Sequence, residues 1–302
     1  MNIMIKKGAI LALVFVVLLT IVGCNTTTYN ESPHIIEASQ LGPLLSKDDV
    51  VVIDARSEED YAKGHLAGAI NLTSAEVSIS EPVPGIIAPK EQVEAVLGSK
   101  GITPDSEVYI YDNKDGIYAA RIWWVMKVYG HENVKVVNGG EVAIVKEGLE
   151  LSMNIPEIEP VQYTAKDMNT SMIATTDEVL EVVEGIEQAK ILDVRSNAEY
   201  AEGTIPTSIL YPHTNNVYTD GTFKSARDTY NDYSDLGLNR DDTIIIFCKT
   251  SVRAAQTALL LEEAGYENII VYDGAWLEWS TKDVPMQEQS DEVVTPSAAD
   301  GS

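Results

Sequence analysis

Val51-Val52-Ile53-Asp54-Ala55-Arg56-Ser57-Glu58-Glu59-Asp60-Tyr61-Ala62-Lys63-Gly64 returns later in the chain as Lys190-Ile191-Leu192-Asp193-Val194-Arg195-Ser196-Asn197-Ala198-Glu199-Tyr200-Ala201-Glu202-Gly203, at an offset of 139 residues. Val108-Tyr109-Ile110-Tyr111-Asp112 then answers Ile244-Ile245-Ile246-Phe247-Cys248 at an offset of 136, and Gly140 answers Gly274 at 134. A slowly shrinking offset means that small deletions separate two copies of one unit. A period this long marks duplicated domains, since stacked repeats recur every 20 to 50 residues or so.

Inside each copy, short β-branched apolar runs alternate with longer amphipathic stretches, which is how a parallel sheet covered by helices on both faces reads in sequence. The fold class expected is therefore α/β, two tandem domains of that kind. In the second copy the pattern places strands near 190–194, 208–211, 243–247 and 268–272, and helices near 176–188, 198–202, 252–264 and 275–280. Ile117–Tyr129 matches the helix that follows Cys248, and Gly130 and Gly265 close the two as left-handed caps. The domains are expected over 34–152 and 171–286, with 153–170, rich in Pro, Asn and Thr, as linker and 287–302 as a disordered tail.

The N-terminus reads as an address. Lys6 and Lys7 precede an uncharged run from Gly8 to Gly23, and Ile21-Val22-Gly23-Cys24 is followed by polar Asn25-Thr26-Thr27-Thr28. These are the parts of a secretory signal over 1–23, too short in apolar residues for a spanning helix. Small residues before a cysteine resemble the lipobox of bacterial lipoproteins. That resemblance implies lipidation at Cys24, a tether over 24–33, and a body exported and lipid-anchored to the outer face of the cytoplasmic membrane, touching the membrane through the anchor only. The 21 basic and 47 acidic residues give a formal charge of −26. Nucleic acid is thereby a poor partner, because phosphate backbones are held by clustered Lys and Arg.

Cys24 and Cys248 are the two cysteines of the chain. With Cys24 occupied by lipid, Cys248 has no disulfide partner, and a free thiol in an exported protein calls for a use. It ends the apolar run Thr243–Phe247 and opens Lys249-Thr250-Ser251-Val252-Arg253 ahead of a helix. That position turns the sulfur toward backbone N–H groups and the positive end of a helix dipole, which favour a nucleophilic thiolate. Lys249 and Arg253 add local positive charge, and the hydroxyls of Thr250 and Ser251 can donate, although Ser251 reads first as a helix cap. Asp193 and Arg195, at the end of an expected strand, read equally as a structural ion pair and as support for the site.

With these motifs, and with Gly64-His65-Leu66-Ala67-Gly68-Ala69-Ile70, Asp220-Gly221-Thr222-Phe223-Lys224 and Tyr272-Asp273-Gly274-Ala275-Trp276-Leu277-Glu278-Trp279, the chain resembles the tandem-domain rhodanese sulfurtransferases over about 34–285. The resemblance implies a catalytic second domain and an inactive first domain, in which Asp112 takes the place of the cysteine. It implies a ping-pong cycle. Cys248 takes a sulfur from a small sulfur-containing anion such as thiosulfate or mercaptopyruvate, becomes a persulfide held by Lys249, Thr250, Ser251, Val252 and Arg253, and passes that sulfur to cyanide, a thiol or a dithiol protein. The chain departs from the family at Glu199, where two-domain members often carry an arginine that holds the donor's anionic end. A carboxylate there repels such a donor. Thr204 stands where the first copy keeps His65.

Two rivals share the thiol. A cysteine-dependent phosphatase also places a thiolate in an amide-lined loop, but its arginine lies six positions after the cysteine, and here Arg253 lies five after Cys248 and is followed by Ala254. A non-catalytic sulfur carrier would hold the sulfur for a partner. No metal site and no cofactor are expected, since His34, His65, His131 and His213 lie far apart and no Gly-rich phosphate loop occurs. His213 is a lesser candidate for lining the site. Trp123, Trp124, Trp276 and Trp279 read as core or interface aromatics, and Asp112, Lys114 and Arg121 as a relic loop.

Overall fold

The computed structural model describes residues 29–287; the signal, Cys24 and all of the tail beyond Gln287 lie outside the described residues. The first domain runs β1 (Ile35–Glu37), α1 (Ala38–Leu41), β2 (Val50–Asp54), α2 (Glu58–Lys63), β3 (Ile70–Asn71), α3 (Lys90–Ser99), β4 (Glu107–Tyr111), α4 (Ile117–Val128), β5 (Val134–Asn138) and α5 (Gly140–Lys146). The second runs β6 (Ile173–Ala174), α6 (Thr176–Val183), β7 (Lys190–Asp193), α7 (Asn197–Ala201), β8 (Ile209–Leu210), α8 (Ala226–Asp235), β9 (Thr243–Phe247), α9 (Val252–Glu263), β10 (Asn268–Tyr272) and α10 (Ala275–Trp279). Each domain is one five-stranded parallel sheet flanked by helices, in the orders β1-β5-β4-β2-β3 and β6-β10-β9-β7-β8.

The expected strands and helices recur with small differences. The helix expected over 176–188 stops at Val183, because Glu184 caps it and Gly185 turns into left-handed backbone at φ +75°. Strand β6 and helix α8 carried too weak a signal to be anticipated. The first is two residues long, and the second is mostly polar and begins where the Ser225 side chain accepts from the Asp228 N–H. The repeat alignment also shifts at its end. Gly139 and Gly274 are the two N-cap residues of α5 and α10, so Gly140 answers Ala275, and both of these have positive φ.

Alternation along the central strands decides where the cores lie. Val52, Tyr109, Tyr111 and Val137 face an outer core of the first domain, and Ile191, Ile245 and Phe247 an outer core of the second. Their neighbours Ile53, Val108, Ile110, Val136, Leu192, Ile244 and Ile246 share one continuous core between the domains, filled by Trp123 and Trp124 of α4 and by Leu259 and Leu260 of α9. Helices α4 and α9 lie against each other there. Cys248 continues the Ile244–Ile246 face and so looks into this joint core.

Each domain also reaches over the other. The hairpin of Ser78–Ile79 and Ile86–Ile87 sends the Ile87 N–H to the Asp273 carboxylate at 2.7 Å, and the Val217–Phe223 hairpin sends the Phe223 N–H to the Asn138 side-chain oxygen at 2.7 Å. Asn138 and Asp273 are matching positions of the repeat, as are Ile87 and Phe223. The segments expected as tether and linker are partly packed: Tyr29 is buried and its hydroxyl donates to the Lys224 carbonyl, Ser32 donates to Glu263, and Tyr163 and Ala165 join the core. Apolar and aromatic side chains at these positions outweigh the polar composition around them. Gln287 pairs with Thr204 through both backbone hydrogen bonds.

The joint interface has a titrating group. Glu262 of α9 faces His34, Oε2 to Nε2 at 3.4 Å, with Lys127 and Glu263 beside it. Burial pushes the Glu262 carboxyl up from 4.5 to about 7 and the His34 imidazole down to about 4. A carboxyl whose folded value lies above its unfolded value binds its proton more tightly in the fold, so stability falls as pH rises from about 4.5 through 7. Glu262→Gln is expected to change little near pH 4.5 and to stabilise by about 2 kcal/mol above pH 7. Urea unfolding of both proteins at the two pH values checks this, and a difference independent of pH would contradict it.

Candidate functional site

Strand β9 ends at Phe247, and residues 248–251 turn tightly into α9. Ser251 sits at φ +63°, as does its counterpart Asp115 in the first copy at φ +56°. This left-handed step turns successive N–H groups inward. The expected capping by Ser251 is not what its side chain does: it stands at the N-cap position without capping, and its hydroxyl donates to the Asp273 carbonyl. The start of α10 clamps the other side, with the Trp276 N–H on the Cys248 carbonyl at 2.9 Å and the Leu277 N–H on the Lys249 carbonyl at 3.2 Å. Overhead, Gly85 lies so close that a Cβ there would meet the Thr250 carbonyl oxygen at 2.8 Å, at a φ of +96° that favours glycine anyway.

Cys248 is fully buried and free. Arg253 is the cation beside it. Its guanidinium interacts electrostatically with Cys248 and forms a bidentate pair with Glu199, Nη1 to Oε2 and Nη2 to Oε1, both at 2.7 Å. Glu199 is held in turn by the Ser196 N–H at 3.0 Å and the Ser196 hydroxyl at 2.9 Å. The hydrogen bonds from Arg253 hold the Glu199 carboxyl down at about 2 against the opposing effect of partial burial. His213 is half-buried and interacts with Arg253, Asp115 and Glu199; burial first, then Arg253, keeps its imidazole below its usual range. Lys249 is exposed at the mouth.

Asp193 and Arg195 stand one layer back. Arg195 grips the Asp193 carboxylate with Nε and Nη2, the latter at 2.6 Å, and donates to the Gly203 carbonyl at 2.7 Å. Asp54, Arg56 and Gly64 repeat this in the first copy. A bridge present in both copies, one of them without the cysteine, ties the strand end to the turn after the next helix. Arg195 does reach the loop indirectly, since its guanidinium lies 4.4 Å over the ring of Trp276, the residue whose backbone N–H holds the Cys248 carbonyl.

The first-copy loop closes around a carboxylate of its own. Asp112 is buried, and its carboxylate accepts from the N–H groups of Lys114, Gly116, Tyr118 and Ala119 at 2.8 to 3.0 Å. Burial raises its carboxyl and the four amides pull the other way. In the second copy the matching N–H groups of Thr250, Val252 and Ala254 have no acceptor among the described residues. Asp112→Asn is expected to cost about 2 kcal/mol, because an amide NH2 then faces buried donors; chemical denaturation reads it, and unchanged stability would contradict the four-donor geometry.

Sequence reasoning missed Arg121. Far from being part of a relic loop, it crosses the interface fully buried, pairs with Asp273 at 2.9 Å, donates to the Gly85 carbonyl at 2.7 Å and lies 4.6 Å over Trp124. An arginine inside an otherwise apolar helix was the available signal.

A duplicated α/β unit with a cysteine loop in the second copy and a carboxylate in its place in the first defines a class of protein, and comparison with known families agrees. The chain belongs to the family of the rhodanese-like domain, which matches residues 37–147 and 175–282. It is similar to a thiosulfate sulfurtransferase of Pseudomonas aeruginosa, 28% identical over 273 residues that cover 86% of this chain and 99% of that protein. It is also similar to the sulfur carrier protein TtuD of Thermus thermophilus, 30% identical over 72% of this chain and 83% of the relative. Among solved structures, the anaerobic ergothioneine biosynthesis enzyme of Chlorobium limicola superimposes with a TM-score of 0.77 at 21% identity, over 85% of this chain and 71% of that one, a likeness of fold.

Proposed function

We propose that the protein is a sulfurtransferase. Cys248 attacks the outer sulfur of a small sulfur-containing anion, the donor's remaining group leaves with the bonding electron pair, and the second sulfur stays on Cys248 as a persulfide. A nucleophilic acceptor, such as cyanide, a thiol or a dithiol protein, then attacks that outer sulfur and Cys248 departs as thiolate.

The observation that carries this reading is the Asp112 carboxylate. From Cβ, an aspartate oxygen lies two bonds out, and so does the outer sulfur of a cysteine persulfide. The first copy therefore fills with oxygen the place that the outer sulfur takes in the second, and the loop amides of 249–254 are the donors that stabilise it there. Arg253 contributes the cation, Lys249 the positive mouth, and Ser251 the brace to Asp273. The first domain takes no chemical part; its hairpin at Gly85 closes the loop against solvent.

Treatment with thiosulfate and then cyanide tests the reading by thiocyanate release. A protein that loads sulfur and gives it up to one protein partner alone, with no turnover on cyanide, would be a carrier, the reading favoured by the Thermus relative's name. Location is proposed from sequence alone: removal of 1–23 and acylation at Cys24 would hold the body at the outer face of the membrane. The mass of the mature N-terminal peptide tests it, an unmodified Cys24 being the contrary result.

A further inference from the structure

The mouth of the Cys248 loop says which donors it accepts. Arg253 interacts electrostatically with Cys248, and both of its terminal nitrogens are engaged by Glu199. The carboxylate cannot easily let go. It is the N3 residue of a capping box with Ser196, accepting from that residue's N–H and hydroxyl, and it stays ionised at any pH the fold is expected to meet. His213, the other titratable group facing Arg253, is kept neutral by burial, and Asp115 adds a further negative charge nearby. The other cation of the loop, Lys249, is exposed to solvent, where its charge is screened.

Donors differ in where their charge lies. Thiosulfate carries a second negative charge on the group that leaves, and that group needs a cation of its own at the mouth. A hydropersulfide carries its single charge on the transferred sulfur, which the loop amides already hold.

Resting on the sulfurtransferase reading above, we propose that Glu199 is a specificity-determining residue: by occupying Arg253 it leaves no seat for a dianionic donor and selects a singly charged organic hydropersulfide. The step balances without an outside oxidant. The Cys248 thiolate attacks the terminal sulfur of R–S–S⁻, the S–S bond breaks, RS⁻ leaves with the electron pair, and Cys248–S–S⁻ forms with its charge on the outer sulfur that the loop amides hold.

The test is steady-state kinetics with cyanide as acceptor and two donors, thiosulfate and the hydropersulfide of N-acetylcysteine methyl ester, whose only charge is on its sulfur. The wild type is expected to favour the hydropersulfide in kcat/KM. Glu199→Gln keeps the capping box, since glutamine serves at N3, and frees Arg253. It is expected to raise kcat/KM for thiosulfate by about 10- to 100-fold, mainly through KM, and to change the hydropersulfide value less than about 3-fold. A thiosulfate value unchanged in Glu199→Gln, or raised equally for both donors, overturns the assignment of Glu199. The two readings fail separately: if neither donor loads sulfur on Cys248 in the wild type, the sulfurtransferase reading falls, whereas loading by both with no effect of Glu199→Gln removes only the specificity claim.

Discussion

Cys248→Ser is expected to abolish sulfur transfer, lowering thiocyanate formation at least about 1000-fold, while the protein stays folded. Serine is close in size to cysteine, so the joint core around Ile244 and Ile246 keeps its packing. Its hydroxyl is not ionised at neutral pH and makes no bond to sulfur that an acceptor can cleave. Arg253 and the amides of 249–254 would remain in place around a group that cannot use them. Near-ultraviolet circular dichroism and the melting temperature check the fold, and a coupled thiocyanate assay checks the rate. Retention of more than a few per cent of the wild-type rate would remove Cys248 from the mechanism.

The second large effect lies outside the loop. Arg121→Met keeps most of the side-chain volume on α4 and leaves the Asp273 carboxylate nine-tenths buried without its cation. Breaking one side of a buried pair costs about 3 to 5 kcal/mol. The damage reaches the site, because Asp273 receives the Ile87 N–H, and its carbonyl receives the Ser251 hydroxyl at the left-handed turn of the loop. Thiocyanate formation is expected to fall with stability. Combining Arg121→Met with Asp273→Asn removes the stranded charge, so the double variant should lose less than the sum of the two single losses, by about 2 kcal/mol. Strict additivity in urea unfolding would mean that the two groups do not work as a pair.

Much of this architecture could be read before any coordinates. The duplicated Val51–Gly64 and Lys190–Gly203 stretches encode strand, turn and helix locally, and β-branched runs such as Thr243–Phe247 leave little choice but a buried parallel strand. The position of Cys248 at the strand end was equally local. What sequence did not disclose depends on distant partners. That Asp112 gathers four amides requires the loop to close around it, and that Arg121 reaches Asp273 requires two domains to face each other across α4 and α9. Glu199 was visible as a departure from the family pattern, yet its bidentate hold on Arg253 joins residues 54 positions apart. Helix α8 escaped because its apolar stripe is made of tyrosines among charges, a weak period against a polar background.

The central claim is that the 248–254 loop holds a sulfur atom carried on Cys248, and intact-protein mass spectrometry tests it most directly. After exposure to a hydropersulfide and then to thiosulfate in separate samples, followed by desalting and peptide mapping, a gain of about 32 Da on the Cys248 peptide, lost on addition of cyanide with release of thiocyanate, is the predicted result. A protein that gains no sulfur at Cys248 from either donor would contradict the account.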